Sequence, residues 1–473
     1  MVPVETTPDL KWIRSLVTPK FLQSVLPKSF DLSSDARINP ELIYCGTHSE
    51  VYKVTVKSSD RLRESKAFVV KRFLSPDESI PMHPGVPTSA KPLDQWEYIN
   101  LTRLHEIDPN QPEPFLHNSS DHLVVMEALN GSYNKRFEAQ YRAFKRMRSQ
   151  RKRESLVQEV QHDLETVLDQ AHTTLAGISQ LARSKPGDVC LRSHDYFDFL
   201  NILDENFNAF FRTADHLAFP HEDKKILTQL LTNSLARDNR LTGWRNRYTR
   251  ERPALADYLG ASEGVIHRDF RPDNILYRSR DGSDSPTSFA LCDLTDMSWG
   301  PIDLDMISLL MDPRFKAMFS LDQRFDIYNK QFDTLVSRHS PELMIHLTRE
   351  QRFDLGSTAV LFNNIGRVFT YLSGVSNVSK NPPSGISHLP LGTPEHYFVA
   401  QYLSLLQVLK NSRQQFPRLY AGALSFIPEQ SRPKIINPLS NPLRKDDPSH
   451  ILLRLYQRGK RLSERLSSGI STS

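Results

Sequence analysis

Cysteine is scarce in this sequence, with three residues in a chain of 473. Cys45, Cys190 and Cys292 lie far apart and are odd in number, which argues against the disulfide framework of a small secreted protein. We therefore expect a reducing compartment, the cytoplasm. Cys45 and Cys292 stand in strand-like apolar runs, where we interpret them as small core side chains.

Long hydrophobic runs are also missing. No apolar run approaches the ~20 residues that a membrane-spanning helix needs, and the N-terminus lacks the basic-then-apolar pattern of a secretory signal. The composition, 38% hydrophobic and 24% charged, is typical of a soluble globular protein. The formal net charge of +5 favours anionic ligands such as nucleotide phosphates without implying nucleic acid. The length allows one large two-lobed domain or two domains.

The most informative stretch is Gly264–Leu310, which contains the pattern His-Arg-Asp-x-x-x-x-Asn. Asp269 is the aspartate of this pattern, and Asn274 is its asparagine. A second apolar run follows a polar turn and leads into Asp293. This order predicts a strand, a catalytic loop, a β-hairpin and an acidic loop.

Phosphoryl transfer is the chemistry that uses this arrangement. Asp269 would accept the proton of the acceptor hydroxyl, and Asn274 and Asp293 would hold Mg²⁺ against the nucleotide phosphates. The alternative is a polar surface loop, because Asp and Asn are common turn formers. Asp293 follows an apolar run instead of standing in a polar cluster, which favours the catalytic interpretation.

An earlier segment predicts a nucleotide-binding hairpin. Gly46, Thr47 and Ser49 lie between two strand-like runs, and a turn of small residues can lay backbone N–H groups over phosphates. Lys71 ends the next apolar strand, where phosphoryl-transfer enzymes place a lysine for the α- and β-phosphates. Alone, such a lysine is more often solvated; the His-Arg-Asp stretch about 200 residues later strengthens the catalytic interpretation.

The His-Arg-Asp-x-x-x-x-Asn pattern is shared with protein kinases, but Asp-Phe-Gly and Ala-Pro-Glu are absent. Instead, the segment from Asp293 to Leu310, DLTDMSWGPIDLDMISLL, resembles the aminoglycoside phosphotransferase and choline kinase superfamily. Its nearest pattern is that of the N-acetylmuramate/N-acetylglucosamine anomeric sugar kinases. Those enzymes carry His-Arg-Asp, an acidic loop, Gly-Pro and an Asp-x-x-Ser-Leu-Leu helix, which begins at Asp305 in this chain.

The resemblance implies a protein-kinase-like α+β fold with a small antiparallel-sheet lobe and a large, mainly helical lobe. It implies ATP and Mg²⁺ as cofactors and Asp305 as a brace of the catalytic loop. Glu97 would pair with Lys71, although an ordinary solvated helix glutamate is the alternative. The backbone of the segment from Glu127 to Leu129 would pair with the adenine edge.

The domain organisation follows from the same pattern. An N-terminal helical extension covers residues 1–39 and includes a single amphipathic helix over Leu10–Leu26. We expect a nucleotide-binding lobe over 40–130, a helical lobe over 131–427, and a basic, partly disordered tail over 428–473.

The stretch Lys135–Arg153 is dense in basic residues with interleaved aromatics. It has two interpretations, a surface for nucleic acid or lipid or a helix with a solvated basic face. Phe137, Tyr141 and Phe144 have the spacing of a core stripe, which favours the second. We therefore do not expect nucleic acid as a partner.

These observations predict an ATP- and Mg²⁺-dependent phosphotransferase that modifies a hydroxyl of a small molecule, with a sugar or amino sugar among the acceptors the resemblance implies. An atypical protein kinase is the alternative within enzymes, and the missing Asp-Phe-Gly and Ala-Pro-Glu speak against it. A pseudokinase acting as a binding module is the other alternative. A scaffold has no need of Asp269, Asn274 and Asp293 together.

Overall fold

The computed structural model describes residues 10–26, 37–45, 49–57, 66–74, 92–192, 253, 255–279, 286–312, 315, 318–339 and 346–360. Gly46, Thr47 and the tail 428–473 therefore lie outside the described residues. Within the described ranges, no helix combines the length and the apolar character needed to cross a membrane.

The chain begins with two short helices, α1 (Leu10–Leu16) and α2 (Pro19–Val25). The prediction of one continuous helix over Leu10–Leu26 is wrong. Pro19 stands in the first turn of α2, where its missing N–H costs nothing, and the side chain of Thr18 accepts a hydrogen bond from the N–H of Phe21 at 3.2 Å. This cap starts a new helix and ends the previous one.

The small lobe is an antiparallel sheet with strand order β1-β2-β3-β5-β4, accompanied by one helix. Its elements are β1 (Arg37–Cys45), β2 (Ser49–Lys57), β3 (Lys66–Phe73), α3 (Leu93–Ile107), β4 (Pro114–Asn118) and β5 (Leu123–Glu127). In β2, buried residues alternate from Tyr52 to Val56, whereas β3 buries the consecutive residues Val70 and Lys71, as a strand covered on both faces does.

The two faces of this sheet pack against different partners. One face contributes Tyr52, Val54, Phe68 and Val70 to a core shared with α1 and α2. The other face contributes Phe73, Val124 and Met126 to the main core, which also contains Leu101 and Leu104 of α3. Because strand side chains alternate, Lys71 shares the α3-facing side with Phe73. The sheet thereby aims the lysine at α3.

The large lobe follows β5. Its elements are β6 (Gly131–Ser132), α4 (Tyr133–Arg146), α5 (Gln150–Ser184), β7 (Gly264–Ile266), β8 (Ile275–Ser279), β9 (Pro286–Leu291), β10 (Ser298–Gly300), α6 (Leu304–Leu310) and α7 (Leu321–His339), with further helical residues at 255–259 and 349–360. The strands form two small sheets, β10-β7 and β6-β8-β9. The predicted two-lobed α+β fold, with its antiparallel and mainly helical lobes, is confirmed.

The basic stretch spans two helices, because α4 ends at Arg146 and α5 begins at Gln150. Phe137, Tyr141 and Phe144 are buried in the main core, and the ring of Phe137 stacks on that of Phe315 with centroids 4.2 Å apart. The prediction of a core stripe is confirmed. These rings are therefore not presented at the surface for stacking on bases.

A buried ionic network joins the loop before β7 to the start of α6 and to the segment 349–360. The guanidinium of Arg352 donates to both carboxylate oxygens of Glu263 at 2.6 Å and to those of Asp303 at 2.5 and 3.0 Å. The hydroxyls of Tyr258 and Tyr328 also donate to Asp303, at 3.1 and 2.8 Å. All five side chains are buried, so the network depends on complete pairing.

Candidate active site

Lys71 lies between two carboxylates, one from each lobe. Its Nζ is 3.1 Å from Oε1 of Glu97 on α3 and 2.8 Å from Oδ1 of Asp293 on the loop after β9. Lys71 and Glu97 are buried, whereas the side chain of Asp293 is 40% exposed. The predicted pairing of Lys71 with Glu97 is therefore present, and Glu97 is not a solvated helix residue.

The charges of this cluster support one another. Burial disfavours the charged lysine, but the carboxylates of Asp293 and Glu97 outweigh it and raise the pKa of Lys71. Burial likewise acts to raise the pKa of Asp293, yet the ammonium of Lys71 prevails and lowers it. Both groups are therefore held in their charged forms.

Helix α3 also positions the backbone after Asp293. Oε2 of Glu97 accepts a hydrogen bond from the N–H of Leu294 at 2.7 Å. One turn later, the amide of Asn100 donates to the carbonyls of Leu294 and Cys190 at 3.0 and 2.8 Å. The sequence analysis missed Asn100. Its available signal was a polar residue three positions after Glu97, on the same helix face.

Asp293 itself has a left-handed backbone, with φ +63° and ψ +62°. Non-glycine residues rarely adopt this conformation, although Asp tolerates it better than most. The contacts from Glu97 and Asn100 to Leu294 hold the loop in this conformation. The acidic loop is thus shaped by partners almost two hundred residues away in the sequence.

The catalytic loop brings Asp269 and Asn274 into direct contact. The side-chain amide of Asn274 donates to Oδ2 and to the backbone carbonyl of Asp269, both at 2.9 Å. A guanidinium nitrogen of Arg271 lies 3.1 Å from the same Oδ2. Because the amide nitrogen of Asn274 is engaged by Asp269, its amide oxygen is the atom that can act as a ligand.

Asp305, in the first turn of α6, holds the backbone of this loop through hydrogen bonds, as the resemblance implied. Its two carboxylate oxygens accept from the backbone N–H groups of His267 at 2.5 Å and Arg268 at 2.9 Å. Arg268 has a left-handed backbone with φ +71°, a conformation that costs energy and persists only when its surroundings hold it. Burial raises the pKa of Asp305, although the two N–H donors oppose it.

The hairpin β8–β9 explains how residues distant in sequence meet. Ile275 of β8 pairs with Leu291 of β9, so Asn274 and Cys292 occupy the same end of the hairpin. The N–H of Cys292 donates to the carbonyl of Asn274 at 3.1 Å, and the carbonyl of Cys292 contacts Nε2 of His267 at 2.9 Å. Asp293 follows immediately. The structure thus brings together Asp269, Asn274, Asp293 and Lys71.

Of the other residues predicted to contact the nucleotide, the structure describes Ser49, Glu127 and Leu129. Ser49 opens β2 and is buried. The N–H of Glu127 donates to the carbonyl of Glu113 at 2.8 Å, and its carboxylate forms a bidentate ion pair with Arg278 at 2.5 Å. The N–H of Glu127 is therefore paired within the protein, and the contact of adenine with the backbone of the segment from Glu127 to Leu129 stays a prediction. A backbone donor would have to come from the loop that contains Leu129.

The oxygen atoms at this site suit Mg²⁺. The described residues contain no group of three or more His, Cys, Asp or Glu side chains that could hold a metal ion. Mg²⁺ in phosphoryl-transfer sites usually has only one or two protein oxygens, with the phosphates and water supplying the rest. The half-exposed carboxylate of Asp293 and the amide oxygen of Asn274 fit that requirement.

The two-lobed fold and the cluster of lysine, carboxylates and amide are typical of a phosphotransferase. The model of the Phosphotransferase enzyme family matches residues 61–333, more than half of the chain. The chain belongs to this family, and it is a phosphotransferase. No curated protein matches the sequence.

Solved structures with a similar fold include a choline/ethanolamine kinase family protein from Mesorhizobium loti, with a TM-score of 0.41, 10% identity, and coverage of 85% of this chain and 96% of the other. An ethanolamine kinase from Plasmodium vivax has a TM-score of 0.39 and 10% identity, and the match covers 78% of this chain and 84% of the other. Choline kinase LicA from Streptococcus pneumoniae has a TM-score of 0.37 and 12% identity, and the match covers 85% of this chain and 99% of the other. At TM-scores this low, the likeness gives no information about the acceptor.

Proposed function

We propose that this enzyme transfers the γ-phosphate of ATP to a hydroxyl of a small molecule, in a Mg²⁺-dependent reaction, with a sugar or amino sugar as acceptor. One observation carries the proposal. Lys71 contacts Asp293 at 2.8 Å, and Asp293 shares the hairpin end at which Asn274 contacts Asp269 at 2.9 Å. These four groups are the ones that phosphoryl transfer needs close together.

Lys71 would bind the α- and β-phosphates. Glu97 keeps the ammonium charged and fixes its direction, while Asp293 lies on its other side. A buried lysine paired in this way contributes a preorganised positive charge that needs no rearrangement during the reaction. Gly46, Thr47 and Ser49 would supply backbone contacts to the phosphates, and the backbone from Glu127 to Leu129 would supply contacts to the adenine edge.

Asp269 would orient the acceptor hydroxyl and accept its proton. Its carboxylate is held by Asn274 and by the backbone that Asp305 braces, so its position is set before substrate binds. Asn274 and Asp293 would hold Mg²⁺, which supplies positive charge to the phosphate oxygens when bound.

The same proposal assigns the regions of the chain. The nucleotide would bind between the lobe at 40–130 and the lobe at 131–427, with residues 1–39 and 428–473 as extensions. We place the enzyme in the cytoplasm, because three cysteines that lie far apart and are odd in number do not suit a disulfide framework.

The test is a γ-phosphate transfer assay with a panel of sugars, amino sugars, amino alcohols and aminoglycosides. Wild type should phosphorylate at least one of them. Asp269→Ala should lower turnover by about 10² to 10⁴-fold while ATP still binds. An Asp269→Ala enzyme with full turnover would contradict the assignment of the base. Wild-type binding of ATP without transfer to any acceptor would instead support a pseudokinase.

A further inference from the structure

The segment 188–192, which follows α5, contacts both α3 and the acidic loop after Asp293. Asn100 of α3 exchanges two hydrogen bonds with the backbone of Cys190, both at 2.8 Å. Two residues later, the side chain of Arg192 contacts the acidic loop. The reaction proposed above gives this arginine no part in binding or transferring the phosphate.

Arg192 holds three consecutive residues of the acidic loop. Its Nε donates to the carbonyl of Thr295 at 3.0 Å and to Oδ1 of Asp296 at 3.1 Å, and a terminal guanidinium nitrogen lies 2.8 Å from the same Oδ1. Its backbone N–H donates to the carbonyl of Met297 at 2.8 Å. The side chain is 10% exposed, and the guanidinium lies 5.8 Å from the centroid of the Trp96 ring on α3. The arginine is therefore fixed between α3 and the loop.

Asp293 needs such support because of its left-handed backbone, with φ +63°. A non-glycine residue in this conformation costs energy and keeps it only where the surroundings hold it. Two side chains of α3 hold Leu294, the first residue after Asp293. Arg192 holds the following residues. Loss of its side chain would remove that support, so Asp293 would adopt the left-handed conformation for a smaller fraction of the time.

We propose that Arg192 is a positioning residue for Mg²⁺ binding, which acts by keeping the acidic loop in the conformation that presents the Asp293 carboxylate to the ion. This inference rests on the function proposed above, in which Asp293 holds Mg²⁺. When the binding conformation is populated for only part of the time, the apparent affinity falls by that fraction. Loss of a hydrogen-bonded ion pair should reduce the population about tenfold.

The experiment is a calorimetric titration of the full-length protein with ATP, in Mg²⁺ and in EDTA. Mg²⁺ should tighten ATP binding to wild type. In Arg192→Gln, the Kd in Mg²⁺ should rise about tenfold. The Kd in EDTA should stay within about twofold of wild type, because the phosphates then contact Lys71, which is held by Glu97. The Mg²⁺ concentration that gives half-maximal turnover should also rise, with the KM for the acceptor unchanged.

Two further variants locate the effect. Arg192→Lys keeps the charge, but an ammonium does not reproduce the planar fork that bonds a carbonyl and a carboxylate together, so the Kd in Mg²⁺ should rise about threefold. Arg103→Gln is the matched control. Arg103, on α3, donates to the carbonyl of Asp188 at 3.3 Å, in the same segment but four residues before Arg192. This control should match wild type under both conditions.

Different failures have different meanings. A wild-type Kd in Mg²⁺ for Arg192→Gln overturns the inference. An equal loss of affinity in Mg²⁺ and in EDTA also overturns it, because it would show a general structural role, as would the same loss in Arg103→Gln. If Arg192→Gln does not fold, Arg192→Lys decides, and an unchanged Kd in Mg²⁺ overturns the inference. A wild type that binds ATP equally well with and without Mg²⁺ contradicts the proposed function itself, whatever the variants do.

Discussion

Glu97 has two roles that depend on its two oxygens. Oε1 pairs with Lys71, and Oε2 accepts from the backbone of Leu294 directly after Asp293. The side chain is almost fully buried, so its charge must be compensated within the protein. The same residue therefore sets the direction of the Lys71 side chain and the position of the acidic loop.

Replacing Glu97 with Gln tests both roles. The amide oxygen can still accept from Leu294, but the second negative charge beside Lys71 is lost. We expect the free energy of unfolding to fall by about 1–3 kcal/mol and the Kd for ATP to rise. Urea unfolding and a nucleotide titration measure the two effects.

Glu106→Gln is the control, because Glu106 is an exposed residue of α3 paired with Arg103. This variant should change the free energy of unfolding by less than about 1 kcal/mol. Equal behaviour of the two variants would contradict the role of Glu97.

Single residues were predictable where the chemistry limits the choice. Asp269, Asn274 and Asp293 were identified because the spacing of a loop, a hairpin and a second loop restricts them. Arg271 and Asn100 were not identified. Nothing local marks an arginine as the partner of a carboxylate two positions away, and the partners of Asn100, the carbonyls of Cys190 and Leu294, are distant in the sequence. The hydrogen bond from the N–H of Glu127 to the carbonyl of Glu113 was not predicted, because it depends on a strand pairing that the sequence does not show.

At the scale of elements, the network around Arg352 fastens the segment 349–360 to the base of the catalytic loop. Asp303 stands two residues before Asp305, and Glu263 stands directly before β7. The network therefore connects the residue before β7, the strand that leads into His267, with the start of α6, where Asp305 accepts from the N–H of His267. Its members are separated by 49 and 89 positions in the sequence, which explains why periodicity and local motifs did not reveal it.

Arg352→Ala should destabilise the protein by about 3–5 kcal/mol, because it leaves the buried carboxylates of Glu263 and Asp303 without their cation. Chemical unfolding followed by circular dichroism measures the change. Arg349→Ala removes an exposed arginine from the same helical segment and should cost less than about 1 kcal/mol. A small effect of Arg352→Ala, similar to that of Arg349→Ala, would show that the network is not structurally important.

Elements with a regular alternation were the most predictable. The strands around Lys71 and the hairpin between Asn274 and Asp293 follow from period-two patterns bounded by polar turns. The helix over Leu10–Leu26 was misjudged, because its apolar spacing continues across a cap formed by Thr18 and Pro19. A proline inside a periodic pattern was the signal that should have divided it.

At the scale of the whole molecule, two buried histidines make stability sensitive to acid. His172 on α5 and His339 on α7 lie in the interface between these helices beside β7. Burial, with His339 and Arg338 nearby, lowers the pKa of His172 to about 3. Burial, with Arg183 nearby, lowers the pKa of His339 to about 4. Both are neutral in the folded protein at pH 5.

Their ordinary pKa of 6.5 returns on unfolding, so below pH 6.5 the unfolded chain binds protons that the folded chain does not. Each histidine should then lower the free energy of unfolding by up to about 1.4 kcal/mol per pH unit as the pH falls from 6.5 towards the folded pKa. Urea unfolding at pH 7 and pH 5 should show a smaller loss in His172→Gln than in wild type. His162→Gln, at an exposed position of α5, should keep the wild-type loss. The same loss in both variants would contradict the prediction.

The most direct test of the central claim is the ATP-induced rise in melting temperature, measured with Mg²⁺ and with EDTA in wild type, Asp269→Asn and Asp293→Asn. If Asp293 holds Mg²⁺ beside the nucleotide and Asp269 acts only on the acceptor, wild type and Asp269→Asn should both show a Mg²⁺-dependent rise. At an ATP concentration a hundred times Kd, this corresponds to about 2.7 kcal/mol. Asp293→Asn should lose the Mg²⁺-dependent part. A rise that is the same with and without Mg²⁺, or the same in all three proteins, would contradict the account.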